Sequence, residues 1–118
     1  MNRTLLVVTN EPVYAKLVEE IARQFNEQVI TRSDGQSGLD VLAQQRIDLI
    51  VCDVELPGMC GIAFHQAVAQ DVRLAHIPFV FVTGTTDIDT LRSVRNIPNV
   101  RLIPTSNLVE LFTQLLQS

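Results

Sequence analysis

Short apolar runs alternate along this chain with segments of helical period, and that alternation constrains the fold more than any other feature. The five runs are Leu5–Val8, a run that ends at Ile30, Leu49–Val54, Phe79–Val82 and Val100–Ile103. The intervening segments repeat apolar residues every three or four positions, most regularly at Tyr14, Leu17, Val18, Ile21, Ala22 and Phe25, and again at Leu108, Leu111, Phe112, Leu115 and Leu116. The pattern predicts strands that alternate with helices.

The first, third and fourth runs are nearly continuous in Val, Leu and Ile, which indicates strands that are buried on both faces. A parallel sheet covered by helices on each side provides such burial, so the sequence predicts an α/β fold, a (βα)5 sandwich. Less regular patterns place the remaining helices at about Gln36–Gln45, Ile62–Gln70 and Ile88–Arg95. A chain of 118 residues with 47% hydrophobic content fits a single domain, which we expect to span residues 1–118.

Charge and hydropathy exclude several classes of protein. The net charge is −4 and the nine Lys and Arg residues are spread along the chain, so we expect no direct binding to nucleic acid. Because the apolar runs are only a few residues long and no basic leader precedes them, we expect a cytoplasmic protein without a membrane segment. Cys52 and Cys60 have no second Cys or His pair at ligand spacing, which argues against a zinc site and a disulfide framework.

Polar residues gather where the predicted strands end. In an open α/β sheet, ligands bind outside the carboxyl ends of the strands. The residues at these ends are Thr9, Asn10, Glu11, Asp53, Glu55, Thr83, Gly84, Thr85, Ile103 and Pro104. The sequence therefore predicts a site with one displayed carboxylate, Asp53, and several hydroxyl groups, but no lysine.

Two stretches at these ends resemble a known family. LIVCDVELPGMCG, from Leu49 to Gly61, and VTG, from Val82 to Gly84, resemble the receiver domain of two-component response regulators. The resemblance implies a flavodoxin-like fold with strand order 2-1-3-4-5, in which an aspartate accepts a phosphoryl group from a histidine kinase. It places Asp53 at the phosphoacceptor position, and Thr83 with Gly84 where the phosphoryl group binds.

The chain departs from the family at its charged positions. Members of the family carry two acidic residues after the first strand, which hold Mg2+, where this chain has Thr9 and Asn10. They carry a lysine where this chain has Ile103, before the proline that follows the fifth strand. The switch aromatic of the fifth strand falls on Val100, and the acidic residue of the loop falls on Cys60.

These departures remove groups that phosphoryl transfer to Asp53 would need. A carboxylate attacks phosphorus when a metal ion or a cationic side chain shields the negative charge of the donor. Asp53 with the neutral amide of Asn10 makes a poor Mg2+ site, although Glu11 or Glu55 would compensate in part by turning inward. Ile103 offers neither a donor nor a charge. We therefore expect no cofactor, or weak Mg2+ binding at most.

Several of these residues also have a purely structural interpretation. Asn10, followed by Glu11 and Pro12, is a good start for the first helix with Asn10 as N-cap. Thr83, at the end of a strand, also fits a residue whose hydroxyl caps the next segment, and Asp53 also fits an acidic residue that is hydrogen-bonded within a turn. His65 and His76 have no acidic or hydroxyl partner at useful spacing, so we do not expect them to form a site.

The sequence favours an atypical receiver domain over two alternatives. In this interpretation the chain is not an enzyme and acts through protein partners: a histidine kinase, an output domain or another receiver. A homodimer would use the charges of the fourth helix, fifth strand and fifth helix, which are Asp87, Asp89, Arg92, Arg95, Arg101 and Glu110. The alternatives are a receiver that accepts a phosphoryl group on Asp53, and a small flavin- or phosphate-binding protein that uses Gly84–Thr86.

Overall fold

The chain folds into one parallel sheet with helices on both faces. The computed structural model describes residues 3–117. The strands are β1 (Thr4–Val8), β2 (Gln28–Arg32), β3 (Leu49–Asp53), β4 (Phe79–Thr83) and β5 (Val100–Pro104). The helices are α1 (Pro12–Gln24), α2 (Gly35–Gln44), α3 (Gly61–Gln70), α4 (Ile88–Arg95) and α5 (Leu108–Gln117), and a 3-10 turn at Thr105–Asn107 precedes α5.

The strands pair in the order β2-β1-β3-β4-β5, and every pair is parallel. The predicted (βα)5 sandwich and the strand order implied by the family resemblance are both confirmed. The helix α4 has the predicted bounds, although its apolar pattern is short. None of the helices within residues 3–117 is long and apolar enough to cross a membrane.

Alternating side chains of the central strands divide the core into two parts. In β3, Leu49 and Val51 face the side covered by α1 and α5, whereas Ile50 and Cys52 face the side covered by α2, α3 and α4. β1 shows the same alternation. Successive side chains of a strand point to opposite faces, so a strand that is apolar at every position is buried on both. The prediction of two-sided burial is therefore confirmed.

The first helix begins one residue later than the sequence indicates. Glu11, not Asn10, is the N-cap of α1, and it makes no side-chain capping hydrogen bond. Pro12 takes the first helical position, which suits a residue without an amide proton. The amide of Glu11 donates to the Thr9 side-chain oxygen at 3.0 Å, so Thr9 organises this turn. The prediction that Asn10 caps the helix is wrong.

The loop between β3 and α3 depends on glycine at one position of close contact. A Cβ atom added to Gly61 would lie 2.1 Å from the carbonyl oxygen of Asp53 and 2.9 Å from Cα of Val54. The amide of Gly61 donates to the Val54 carbonyl at 2.8 Å. Only glycine allows this approach, because the groups in the way belong to the backbone. The start of α3 is therefore held directly against the end of β3.

Candidate functional site

The carboxyl ends of the strands surround a small cavity that contains Asp53, the last residue of β3. We call it the Asp53 cavity; its volume is about 230 Å3. It is lined by Glu11, Tyr14, Asp53, Glu55, Val82, Thr83, Gly84 and Thr105. Five of the predicted site residues meet here: Glu11, Asp53, Glu55, Thr83 and Gly84. The ends of neighbouring parallel strands thus meet where the fold places ligand sites.

Thr9 contacts Asp53 directly from the end of the neighbouring strand β1. The Thr9 hydroxyl donates to Oδ2 of Asp53 at 2.5 Å. The same hydroxyl oxygen accepts the hydrogen bond from the amide of Glu11. Thr9 is 7% exposed, so its hydroxyl is committed to these two partners rather than to solvent. One oxygen of the Asp53 carboxylate is therefore already bound within the protein.

Asn10 does not line the Asp53 cavity. It lines, with Thr9 and the charged residues Lys16 and Arg32, a separate groove of about 500 Å3 between α1 and β2. The backbone amide of Asn10 still acts on the Asp53 carboxylate and lowers its pKa. Asn10 therefore acts on Asp53 through its backbone amide, although the residue is not part of the cavity lining.

The surroundings of Asp53 raise its pKa from the ordinary 3.8 to about 6. Burial is the largest cause, since it disfavours the charged form. The hydrogen bond from Thr9 opposes it, and the negative charges of Glu11 and Glu55 raise the pKa further. The carboxylate is therefore ionised at neutral pH, but by a narrow margin.

Thr83 and Thr105 bring hydroxyl groups to the opposite side of the cavity. Thr83 is 6% exposed, and its side-chain oxygen accepts a hydrogen bond from the amide of Thr85 at 3.0 Å. A Cβ atom on Gly84 would lie 3.1 Å from the Thr105 hydroxyl oxygen, so the loops after β4 and β5 are in close contact. This side of the cavity offers neutral hydroxyl groups near Asp53.

No cationic side chain lines the Asp53 cavity within residues 3–117. Asp53 pairs with Val82 across the sheet, and Val82 pairs with Ile103, so Ile103 lies in the same row two strands away. Its side chain is 4% exposed and packs in the core beneath α1 and α5 with Leu108 and Phe112. The position before Pro104 thus supplies apolar packing and no positive charge.

The residues around Asp53 do not fit the Mg2+ ion that the family resemblance implies. Mg2+ requires near-octahedral oxygen ligation, usually with one or two carboxylates. The two residues that follow β1 at this site, Thr9 and Asn10, are both neutral, and Thr9 donates a hydrogen bond to Oδ2 of Asp53. Across residues 3–117, no three His, Cys, Asp or Glu side chains are grouped so that they could hold a metal ion. Glu11 and Glu55 line the cavity, but they are not arranged with Asp53 as a set of ligands.

Three residues of the cavity were not predicted as site residues: Val82, which was predicted as part of the fourth strand, and the two polar residues Tyr14 and Thr105. Tyr14 is the third residue of α1, and its position in the apolar repeat indicated only that its side chain packs in the core. Thr105 follows Pro104 at the end of β5, where its position next to a strand end was the available signal. Both belong to segments distant in sequence from Asp53.

The cysteines and histidines lie outside the Asp53 cavity. Cys52 is buried, and burial raises the pKa of its thiol, whereas Cys60 is exposed at the start of α3. His65 packs edge-on against the ring of Phe79, with 4.8 Å between ring centroids. Burial lowers the pKa of His65. These side chains add no nucleophile or base to the cavity.

Comparisons with known proteins connect this fold and site to a family. The sequence model described as the response regulator receiver domain matches residues 5–103. The polar-differentiation response regulator DivK of Brucella anthropi is 28% identical over 84 residues, which are 71% of this chain and 68% of that protein.

Solved structures show the same fold. The chemotaxis response regulator CheY4 of Vibrio cholerae has a TM-score of 0.88 at 21% identity, with 99% of this chain and 98% of that chain covered. The receiver domain of the sensor histidine kinase PA1611 of Pseudomonas aeruginosa, which has a magnesium ion coordinated in its active site cleft, has a TM-score of 0.81 at 19% identity, with both chains covered completely. By its sequence match over residues 5–103, this chain belongs to the family of response regulator receiver domains of two-component signalling.

Proposed function

We propose that this receiver domain transmits its signal through protein contacts, and that Mg2+-dependent phosphorylation of Asp53 is impaired or absent. The observation that carries the proposal is the buried side chain of Ile103, which stands where the family has a lysine. Charge shielding at the phosphoryl donor needs a cation, and an isoleucine in the core cannot supply one. The domain is accordingly proposed to work as a binding module, neither as an enzyme nor with a bound cofactor.

The electrostatics of the Asp53 cavity support this proposal. Glu11, Asp53 and Glu55 bring three carboxyl groups to the cavity, and Glu11 and Glu55 both act on the Asp53 charge. Two like charges 4 Å apart repel by about 4 kcal/mol at the effective dielectric constant of a protein surface. An incoming phosphoryl group therefore meets repulsion that neither a metal ion nor a lysine offsets.

Intact mass spectrometry tests the proposal. The protein is incubated with Mg2+ and a small acyl phosphate donor, and the mass of one phosphoryl group is sought. We expect no added mass. Asp53→Asn serves as the control for modification at other residues. An added phosphoryl group that is present in the natural chain and absent from Asp53→Asn would contradict the proposal.

Glu11 and Glu55 favour one alternative within the family. Both line the Asp53 cavity, so a weak Mg2+ site that includes one of them would allow slow phosphorylation by a histidine kinase. This alternative predicts phosphorylation in the same mass experiment, with loss of the added mass in Glu11→Gln or Glu55→Gln. Retention of the added mass in both variants would exclude a role for either glutamate.

The flavin or phosphate alternative receives little support from the site. A cavity of about 230 Å3 is below the range of about 300–1,000 Å3 in which small-molecule pockets usually fall. Its acidic lining also repels a phosphate. Absorbance of the purified protein in the visible range separates a bound flavin from the receiver interpretation.

A pre-formed surface for a partner is the second part of the proposal. The α4–β5–α5 face carries exposed charges of both signs: Asp87, Asp89, Arg92, Arg95, Arg101 and Glu110. The structure gives some of them partners within α4, since Asp89 pairs with Arg92 at 3.7 Å and Asp87 caps the helix through the amide of Thr90. Exposed charges of both signs on one face allow pairing across a two-fold axis.

Three charges of this face remain for a partner. Within residues 3–117, Arg95, Arg101 and Glu110 form no ion pair. Arg101 lies on β5, an edge strand of the sheet. We propose that these residues hold a phosphorylation-independent homodimer or a contact with another receiver; a histidine kinase and an output domain are the other protein partners proposed.

Sedimentation at tens of micromolar, with and without an acyl phosphate donor, tests the homodimer. We expect a dimer under both conditions, which weakens in Arg101→Glu and recovers when Glu110→Arg is added. Arg32→Glu, on the opposite edge strand β2, is the matched control and is expected to leave the dimer intact. A monomer under both conditions would exclude the proposed homodimer. A dimer that forms only with the donor would contradict the proposal that Asp53 is not phosphorylated.

A further inference from the structure

Two buried threonines flank the strand that carries Asp53, and they are built alike. Thr9 follows β1 and Thr83 ends β4, the two neighbours of β3. Each accepts a hydrogen bond at 3.0 Å from the amide two residues further along, Glu11 in one case and Thr85 in the other. They differ in one respect. Thr9 also bonds Asp53, whereas no hydrogen bond joins Thr83 to Asp53 in the described part of the chain.

The direction of the hydrogen bond between Thr9 and Asp53 follows from the partners. The Thr9 oxygen accepts from the amide of Glu11, and an ionised carboxylate only accepts. The hydroxyl proton therefore points to Oδ2 of Asp53. A distance of 2.5 Å is typical of a hydrogen bond from a hydroxyl group to a charged carboxylate, which is about twice as strong as one between neutral groups.

We propose that Thr9 is the positioning residue of this site: its hydroxyl, oriented by the amide of Glu11, holds one oxygen of the Asp53 carboxylate. The backbone amide of Asn10 also acts on this carboxylate, so Thr9 is the side chain, not the sole group, that holds it. This inference rests on the proposed function in one respect, because it assumes that no metal ion competes for Oδ2 in the resting protein.

The energetics of the cavity give this contact a role. Burial and the charges of Glu11 and Glu55 push Asp53 towards its neutral form, and the hydrogen bond from Thr9 opposes them. Loss of the hydroxyl would raise the pKa of Asp53 further and weaken the hold on its carboxylate. Thr9 keeps the carboxylate charged and fixed without a cation.

Carboxyl-carbon NMR of Asp53, followed through a pH titration, tests the inference. Thr9→Val keeps the shape of the side chain and removes the hydroxyl, so we expect the pKa of Asp53 to rise by about 1 pH unit. Thr9→Ser restores the hydroxyl and should return the pKa to the natural value. Thr83→Val is the matched control, because it removes a similarly buried hydroxyl that does not bond Asp53. We expect the control to change the pKa of Asp53 much less than Thr9→Val does, because Thr83 lines the cavity without a hydrogen bond to Asp53.

Three results would overturn the inference: an unchanged pKa in Thr9→Val, an equal rise in Thr83→Val, or no recovery in Thr9→Ser. Should Thr9→Val fail to fold, the natural protein supplies the test. Its Thr9 hydroxyl proton should exchange slowly enough to be seen by NMR above pH 7, and should disappear from the spectrum in Asp53→Ala. A rapidly exchanging proton in the natural protein would also overturn the inference.

Failure of the proposed function is separately visible. Phosphorylation of the natural protein in the mass experiment would show that Asp53 is chemically active, and the titration would still report whether Thr9 holds it. If the titration contradicts the role of Thr9 and no phosphorylation is found, only the positioning role of Thr9 is excluded, and the proposed function stands.

Discussion

Replacing Asp53 with asparagine should stabilise the protein at neutral pH. The pKa of Asp53 is raised to about 6, so the folded chain bears an ionised carboxylate that its surroundings disfavour. The difference from 3.8 corresponds to about 3 kcal/mol, at about 1.4 kcal/mol per pH unit. Asparagine has a similar shape, still accepts the hydrogen bond from Thr9, and carries no charge. We expect Asp53→Asn to raise the free energy of unfolding at pH 7.5 by about 2 kcal/mol, somewhat below that limit because the cavity is open to water.

The sign of the pH dependence distinguishes this mechanism from better packing. Well below pH 3.8, Asp53 is protonated in both the folded and the unfolded chain, so its charge does not affect the free energy of unfolding. Between about pH 4 and pH 6 the unfolded chain releases the proton first, and the natural protein loses stability as the pH rises. Above about pH 6 the full penalty is present. The gain from Asp53→Asn should therefore be small at pH 4, at most about 0.5 kcal/mol, and complete at pH 7.5.

Urea unfolding of the natural protein and the variant, followed by circular dichroism between pH 4 and pH 7.5, measures this difference. A gain of about 2 kcal/mol corresponds to a rise in Tm of roughly 8 °C for a domain of this size. Asp34→Asn is the control of opposite sign, because the hydrogen bond from the Ser37 amide lowers the pKa of Asp34. A gain from Asp53→Asn that is equal at pH 4 and pH 7.5, or no gain at either, would show that the charge of Asp53 does not lower the stability of the natural protein.

Three further predictions concern the metal, the lost charges and the loop. Mg2+ at millimolar concentration should leave the Tm unchanged, and a dissociation constant well below about 1 mM by calorimetry would contradict this. The triple variant Thr9→Asp, Asn10→Asp, Ile103→Lys should be phosphorylated on Asp53 to an extent that intact mass spectrometry detects, whereas each single change should give much less phosphorylation. A triple variant that folds and binds the metal ion but is not phosphorylated would contradict this prediction. Gly61→Ala should lower the free energy of unfolding by at least about 2 kcal/mol in urea, because its Cβ would lie 2.1 Å from a backbone oxygen, and native-like stability would speak against this.

The sheet and its helices were predictable because the signals are local and repeated. Each residue of Leu49–Cys52 is buried, and a continuous apolar run of this kind is typical of a strand covered on both faces. Even α4, whose pattern is short, begins at Ile88 as predicted, since Asp87 is a good N-cap and accepts a hydrogen bond from the amide of Thr90.

The contacts inside the site were not predictable in the same way. Asn10 fits the local rules for a helix N-cap, yet the turn is organised by Thr9, which bonds Glu11 on one side and Asp53 on the other. The contact between Thr9 and Asp53 joins residues 44 positions apart. Such contacts depend on the register of β1 against β3, which determines the strand ends that face each other. Composition and spacing carry no signal for them.

The two departures from the family at Thr9 and Ile103 act in the same energetic direction. A lysine at the position of Ile103 would begin in the core and need a route to the cavity, whereas the isoleucine is simply buried, which is worth about 1.5–3 kcal/mol. An acidic residue in place of Thr9 would add a further negative charge beside Asp53, and without a metal ion that charge would raise the pKa of Asp53 and destabilise the folded chain. Thr9 instead donates a hydrogen bond to the carboxylate. Thr9 thus stabilises the charged carboxylate of Asp53, and Ile103 stabilises the core through apolar packing.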